Sequence, residues 1–513
     1  MASTIRIAPA TPSALMPTAP RRTVVGIQVP TTPGFYAALL YLFDLFSRLP
    51  EFTIAFIGNA LFQSPILMTI SLAFALASGN IFDGFRLQTG RWLLAYMGWL
   101  AISLPFSFWK SASIQSYSYT LRYYLLFILT VTLVRNMTEV RKAIVCIAFA
   151  PIPILIAMRI LGAEQGGRLQ LSFGSFANSN ELASYMIMLS PLTLLVASMR
   201  RYNWFLRGIS LLLCFLCLAA ASRTGSRGAI FSLGVVVLLL FFNYSIQAKL
   251  KFIVVVVPTI LVLLAFMPQE ALSRYITAFK QQDDLGSSTT EIQQSALAST
   301  ESRMALLLQS IQVTIENPIF GVGVGTFSAA AAAMSAEAGK KALWQVSHNA
   351  YTQVSSESGI PSLVFYLAAC WCLVRGLWRL IRKPKWSEIR SPGFYAPTEE
   401  TRQLALHLLL AFAATATYGM FASTAGEFSF FLLIGLGTTL YRAHEADARS
   451  FRQAALAATA QPDTAAGAAS ALPVEERHCL SSHNRVRPVT TNPREQSVYS
   501  PVRRLPRHRS PER

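Results

Sequence analysis

Charge is what this chain has least of. Only 13% of its 513 residues are Asp, Glu, Lys or Arg, against 53% hydrophobic. A soluble domain carries roughly twice that charged share, so an ordinary water-soluble fold is excluded. Acid is scarcer than base, at 25 against 44, for a net charge of +19. None of the usual nucleic-acid motifs accompanies that excess, and no nucleic-acid partner is expected. Basic residues collect on the cytoplasmic loops and tails of membrane proteins instead. Cysteine is also sparse: Cys146, Cys214, Cys217, Cys370 and Cys372 fall in apolar segments and Cys479 near the end. Cys214 and Cys217 are spaced C-x-x-C inside a leucine-rich run with no partner pair in a polar loop, which argues against zinc or a disulfide framework. They read as small buried hydrophobes. There is no H-x-x-x-H or D-x-D pattern, so no metal and no cofactor is expected. Residues 1–33 are rich in Pro, Ser and Thr and lack an apolar h-region. They read as a disordered cytoplasmic tail rather than a cleavable signal peptide.

What the chain has is apolar blocks of the length needed to cross about 30 Å of hydrocarbon. The fold class is therefore all-α, a polytopic transmembrane helical bundle. Spans are expected at 64–80, 91–108, 117–134, 142–160, 182–198, 206–221, 228–243, 250–267, 360–380, 403–421 and 426–441. The short segment 34–48, which carries Asp44 and Arg48, is a twelfth span or an interfacial helix. Five regions follow: the tail 1–33, a first membrane part 34–267, a polar interval 268–359, a second membrane part 360–441, and a basic tail 442–513. The last is rich in Ala, then Arg, Pro and Ser, and reads as disordered and cytoplasmic. Alternate connections are rich in Arg and Lys, culminating in 375–402, and should be cytoplasmic. The interval 268–359, with eight Asp/Glu against five Lys/Arg, then lies outside, partly helical.

On that outer face the basic residues that remain need a reason. The connections present Arg168 and Asn180, then Arg223 and Arg227 in a tight turn (SRTGSRG), then Arg303 and His348. A guanidinium fork matches phosphate oxygens. The structural alternative is a snorkelling helix flank, which a turn this short disfavours. Arg303 is read as starting an amphipathic helix, with Met304, Leu307, Leu308, Ile311 and Ile315 at helical spacing, that stops at Asn317–Pro318. The GVGVG run at 321–325 follows no βαβ pattern, so its glycines are read as permitting tight turns or close backbone approach. His348, with Asn349 beside it and Glu357 nine residues on, stands at the polar end of an apolar segment. A neutral imidazole there can take a proton from a sugar hydroxyl. Glu357 is a candidate to orient the imidazole or the acceptor, and arginines can take a metal's place against a pyrophosphate leaving group.

The S-R-G turn at Ser226–Gly228, the arginine-led helix ending in NPIFGVGVGTF, the SHNAY segment followed by E-S-G and a span, and the FANSNELA segment together resemble the O-antigen ligase and polymerase superfamily over roughly 165–380. The resemblance implies a metal-independent membrane glycosyltransferase of the lipid-donor, GT-C-like type, in the bacterial inner membrane with its active loop periplasmic. It implies transfer of an undecaprenyl-pyrophosphate-linked glycan to an acceptor hydroxyl, on lipid A–core or a growing glycan. His348 takes the place of the general base, and Arg227 and Arg303 of the pyrophosphate-binding groups. Arg223, Arg168, Asn180, Asn349 and Glu357 are weaker substrate-binding assignments. A protein O-oligosaccharyltransferase stays open, as does, from another class, a transporter or flippase of lipid-linked sugar. The charges Asp44, Arg122 and Glu427 within or beside spans keep that rival in view.

Overall fold

In a computed structural model of the chain, the structure describes residues 31–58, 62–165, 167–243, 246–265, 267–277, 291–337, 339, 344–389 and 394–459. Residues 1–30, 278–290 and 460–513, which include Cys479 and most of the expected terminal tails, lie outside the described residues. The chain up to Ser450 forms one compact unit; a second begins at Phe451, of which the described part is the end of a helix.

The first half of the bundle comprises α1 (Pro33–Phe46), α2 (Leu49–Ile57), α3 (Gln63–Ala77), α4 (Asp83–Arg86), α5 (Gln88–Ser103), α6 (Lys110–Leu133), α7 (Met137–Ala148) and α8 (Pro151–Leu161). A hairpin of β1 (Gly162–Gln165) and β2 (Arg168–Leu171) follows, paired Gly162 to Leu171 and Gln165 to Arg168. Then come α9 (Ser179–Ser198), α10 (Trp204–Arg223), α11 (Arg227–Asn243) and α12 (Ile246–Ala265). The polar interval holds α13 (Gln269–Thr277), α14 (Glu291–Glu316) and α15 (Phe327–Glu337). The chain continues with α16 (Ala350–Ile381), α17 (Trp386–Ile389), α18 (Glu399–Tyr418) and α19 (Phe428–Thr459).

A helix stands at every expected span, but the spans are not alike. Among the described residues, four stretches are long and apolar enough to cross a membrane: Met137–Leu161, Ser179–Ser198, Trp204–Arg223 and Ala350–Ile381. Pro33–Phe46, Gln63–Ala77, Arg227–Asn243 and Phe252–Ala265 are apolar but shorter. Others, such as α6 and α18, dilute their apolar residues with Ser, Thr and Tyr or a buried His407. At 1.5 Å per residue the 14 residues of α1 measure about 21 Å. That helix nevertheless sits deep in the bundle, with Phe35, Leu42 and Phe46 at most 1% exposed.

The core centres on α9, which packs against α7, α10, α11 and α18. Leu182, Met186, Leu189, Leu192 and Leu195 are fully buried along it. Away from that core, α12 turns Val254, Val255 and Leu261 outward, each at least 60% exposed. In water such a face would be an aggregation hazard; against lipid it is the expected surface. The free cysteines fit the reading of small hydrophobes, with Cys217 fully buried and the Cys214 thiol donating to the Ser190 carbonyl at 3.5 Å.

Three expectations are corrected. Arg303 does not start its helix: α14 begins a dozen residues earlier, because 291–302 (EIQQSALASTES) contains good helix formers and no Pro or Gly. The last helix does not end near 441 but runs to Thr459 through RAHEADARSFRQAALAAT, again without a breaker, so its final part replaces the start of the expected tail. The β1–β2 hairpin was not expected at all. Its four-residue strands fall below the window in which alternation can be read, and Gly167, at φ +68°, supplies the turn.

Candidate functional site

The connections that the sequence places outside the membrane meet one another at one end of the bundle. Their meeting point is the turn 419–427 between α18 and α19. The SHNAY segment docks on it: the Ala350 N–H donates to the Gly419 carbonyl at 2.6 Å, Asn349 Nδ2 donates to the Met420 carbonyl at 3.2 Å, and the Ser347 and Ser423 hydroxyls share a hydrogen bond of 3.2 Å. The start of α11 docks on it too. Gly228 lies so close that a Cβ there would stand 3.0 Å from Phe421, whose ring packs edge-on against Phe231 at 5.7 Å. Arg227, the first residue of α11, and His348 therefore flank the same few residues.

His348 itself is half-buried and adopts the left-handed conformation at φ +52°. Histidine tolerates that region better than most residues, yet it remains uncommon outside glycine. The cause is local. Asn349 is the N-cap of α16, its Oδ1 accepting from the Tyr351 and Thr352 N–H groups at 3.0 and 3.1 Å. The chain must reverse at His348 to deliver Asn349 to that cap. Burial, and then the charge of Arg303, hold the imidazole below its ordinary value. A ring so placed is neutral at pH 7 and free to accept a proton. Among the described residues Arg303 makes no ion pair with a carboxylate. Its charge and those of Arg168, Glu181 and Glu427 all reach the Tyr418 hydroxyl.

The weaker assignments are placed as follows. Arg168 on β2 donates from Nη2 to Asn180 Oδ1 at 2.7 Å and from Nε to the Thr224 carbonyl at 2.9 Å, tying the hairpin, the start of α9 and the S-R-T-G turn together. Arg223 pairs with Glu164 of β1, both side chains about half exposed. Burial pushes the Tyr275 phenol of α13 up to about 12, so it stays a donor, and its hydroxyl donates to the Ser222 carbonyl at 2.9 Å. Glu357 is buried in α16, where its Oε2 accepts from the Gly325 N–H at 2.8 Å. Among the described residues no hydrogen bond joins it to His348, so the structure brings Glu357 to the glycine loop rather than to the imidazole.

The glycine loop behaves as expected. Gly321, Gly323 and Gly325 have φ of +67°, +114° and +70°. A Cβ at Gly323 would fall 2.0 Å from Ser107 Oγ. The Val322 and Gly323 N–H groups donate to the Ser356 and Glu357 carbonyls at 2.9 and 2.8 Å, and the Phe108 N–H donates to the Val322 carbonyl at 2.7 Å. The loop thereby splices α16 to the α5–α6 connection.

Sequence reasoning missed a second charged cluster at this end. Arg48 Nη1 meets Glu51 Oε1 at 2.8 Å and the Ser175 hydroxyl at 3.2 Å, and Nη2 lies 3.9 Å from Glu427. Its guanidinium is caged by Phe176, Tyr185 and Phe428 at 4.7 to 5.3 Å. The signal available was the FANSNELA segment, whose Phe176 is one wall of that cage. The charges that favoured a transporter are held locally. Asp44 accepts from Gln63 at 2.8 Å and from Ser64, Arg122 lies over the Tyr119 ring at 5.1 Å, and Glu427 faces Arg48.

The molecule is thus a helical membrane protein that gathers arginines and a poised histidine around one inter-helix turn. Residues 212–367 match the family model described as O-Antigen ligase, which supports the resemblance to the O-antigen ligase and polymerase superfamily. The matched stretch holds Arg223, Arg227, Arg303, His348, Asn349 and Glu357; it excludes Arg48, Arg168, Asn180 and the turn 419–427. The match supports a ligase- or polymerase-type role in envelope polysaccharide assembly. No curated protein matches the chain.

Proposed function

We propose that the protein transfers a glycan from an undecaprenyl-pyrophosphate donor to an acceptor hydroxyl on the outer face of the bacterial inner membrane, without a metal. The observation that carries this reading is His348: a half-buried imidazole in a left-handed turn, neighbour to Arg303, inside the segment that matches the family. His348 takes the proton of the acceptor hydroxyl as that oxygen attacks the anomeric carbon. The glycosidic C–O bond to the pyrophosphate breaks, and the departing charge is stabilised by Arg227 and Arg303. Displacement in one step inverts the anomeric centre. Arg168, Asn180, Arg223 and Asn349 shape the surrounding wall in this reading, and Glu357 orders the glycine loop.

The acceptor is lipid A–core or a growing glycan, and surface polysaccharide from a deletion strain tests it. Lipid-linked chains of full length beside bare lipid A–core mean a ligase; accumulated single repeats mean a polymerase. Loss restricted to glycoproteins overturns both. A pH profile tests the base. Transfer requires the neutral imidazole, so kcat/KM falls as pH drops through the His348 pKa, which lies below its usual 6.5. Arg303→Gln removes one cause of that depression, so the acid limb of the residual activity should move to higher pH, while Arg303→Lys should hold it. An unmoved limb in Arg303→Gln would remove Arg303 from the site.

A further inference from the structure

A cleft of about 210 Å³ opens beside the candidate base, between α5, α6, the glycine loop, the first turns of α16 and the turn 419–427. By liquid volume it holds roughly seven waters. Its polar lining includes Ser116, Tyr119, Thr120, Gln353 and Glu357, with Tyr96 and Ser358 beside them, and no lysine or arginine lines it. Gln353 lies one helical turn beyond the candidate base, its N–H donating to the Asn349 carbonyl at 2.9 Å. The opposite rim, Ala425–Gly426, belongs to the turn that holds Ser347 through Ser423. The cleft therefore opens within a few residues of His348 on two sides.

Its chemistry excludes most occupants. A phosphate would lose its hydration in a poorly solvated wall that holds no cation to offset its charge. A hydrocarbon chain would leave polar groups unmatched. One of these is already unmatched, because Gln353 Oε1 is buried without a hydrogen-bond partner. That oxygen gains a partner when the Gln353 side chain turns toward a hydroxyl in the cleft. Hydroxyls, carboxamide and carboxylate at short range around a ring-sized space suit a neutral polyol.

We infer that this cleft is a saccharide subsite, binding one neutral sugar ring through hydroxyls donated to Gln353 and Glu357, with Ser116 and Thr120 on the facing wall. The inference rests on the glycan-transfer reading above and adds where a sugar sits. The ring belongs either to the donor glycan or to the acceptor. Phosphate recognition stays with the arginines, so the two chemistries occupy separate walls of one site.

The test uses the full chain in lipid nanodiscs, comparing wild type with Gln353→Leu and Ser116→Ala. Each variant should raise one KM about tenfold, the scale of one lost hydrogen bond, with kcat nearly unchanged. A rise in the donor KM assigns the ring to the donor; a rise in the acceptor KM assigns it to the acceptor. Binding is read separately by saturation-transfer NMR, with glucose, galactose and N-acetylglucosamine as probes on the His348→Ala protein. Signal retained there and lost on adding Gln353→Leu supports the subsite even if the transfer reading fails. Unchanged KM values in both variants, with no saccharide signal, overturn it.

Discussion

Replacing His348 with alanine should lower glycan transfer by about two to four orders of magnitude, the usual contribution of a positioned general base. The same protein should reach the membrane at its normal level. The two effects separate because the imidazole carries little of the fold: it is half-buried, and among the described residues it makes no hydrogen bond. What it has is an unfavourable backbone, at φ +52°. His348→Gly should therefore be as inactive as His348→Ala yet melt slightly higher, since glycine occupies that region without a steric penalty. A residue that is inactive when replaced but stabilising when removed is held for chemistry rather than for structure. Transfer by purified protein, with detergent melting curves for both variants, decides this. Normal transfer by His348→Ala would sink the base assignment.

The second large effect is expected at Gly359, which breaks α16 at φ +81° and ψ 171°. A Cβ there would fall 1.9 Å from the Ile319 carbonyl oxygen, a backbone atom that cannot swing away. The break is built in on every side. The Ile360 N–H donates to the Pro318 carbonyl at 2.8 Å, and Trp99 Nε1 donates to the Ser358 carbonyl at 3.0 Å. Pro361 follows, with no N–H to lose. Gly359→Ala should destabilise the protein by about 3 kcal/mol or more, combining backbone strain with a clash. Gly208→Ala is the control, since nothing lies within 4 Å of a Cβ there and alanine is the better helix former. Melting curves in one detergent compare them. A Gly359→Ala protein that melts with wild type would show that the loop and helix can slide apart.

Part of this site was legible from the sequence because it is written in residue types that are costly where they stand. Arginine in a six-residue turn between spans, three alternating glycines, and a histidine just before a span all depart from what a lipid-facing bundle requires. The turn 419–427 was not legible. Its residues (GMFASTAGE) look like any short connection, and it matters through backbone carbonyls and one phenyl ring that receive other segments. Arg48 was obscured differently, at the edge of a segment too short to assign. Its cage comes from residues far along the chain, Phe176, Tyr185 and Phe428. Helix starts failed where only propensity could speak. Nothing in 291–302 repeats with an apolar period, so the sequence pattern marks a helix only from the first stripe, at Arg303, while α14 starts at Glu291.

Four helices, α9, α11, α16 and α19, begin around the turn 419–427, and their direction has a consequence of its own. A helix start carries the equivalent of about half a positive charge from its aligned peptide dipoles. A cation is unfavourable at that end, by about 0.3–1 kcal/mol, yet Arg227 is the first residue of α11. Peptide dipoles survive any side-chain replacement. An anion approaching this end of the bundle meets a positive potential set partly by the direction in which the chain runs, so removing a single arginine should weaken that attraction without abolishing it.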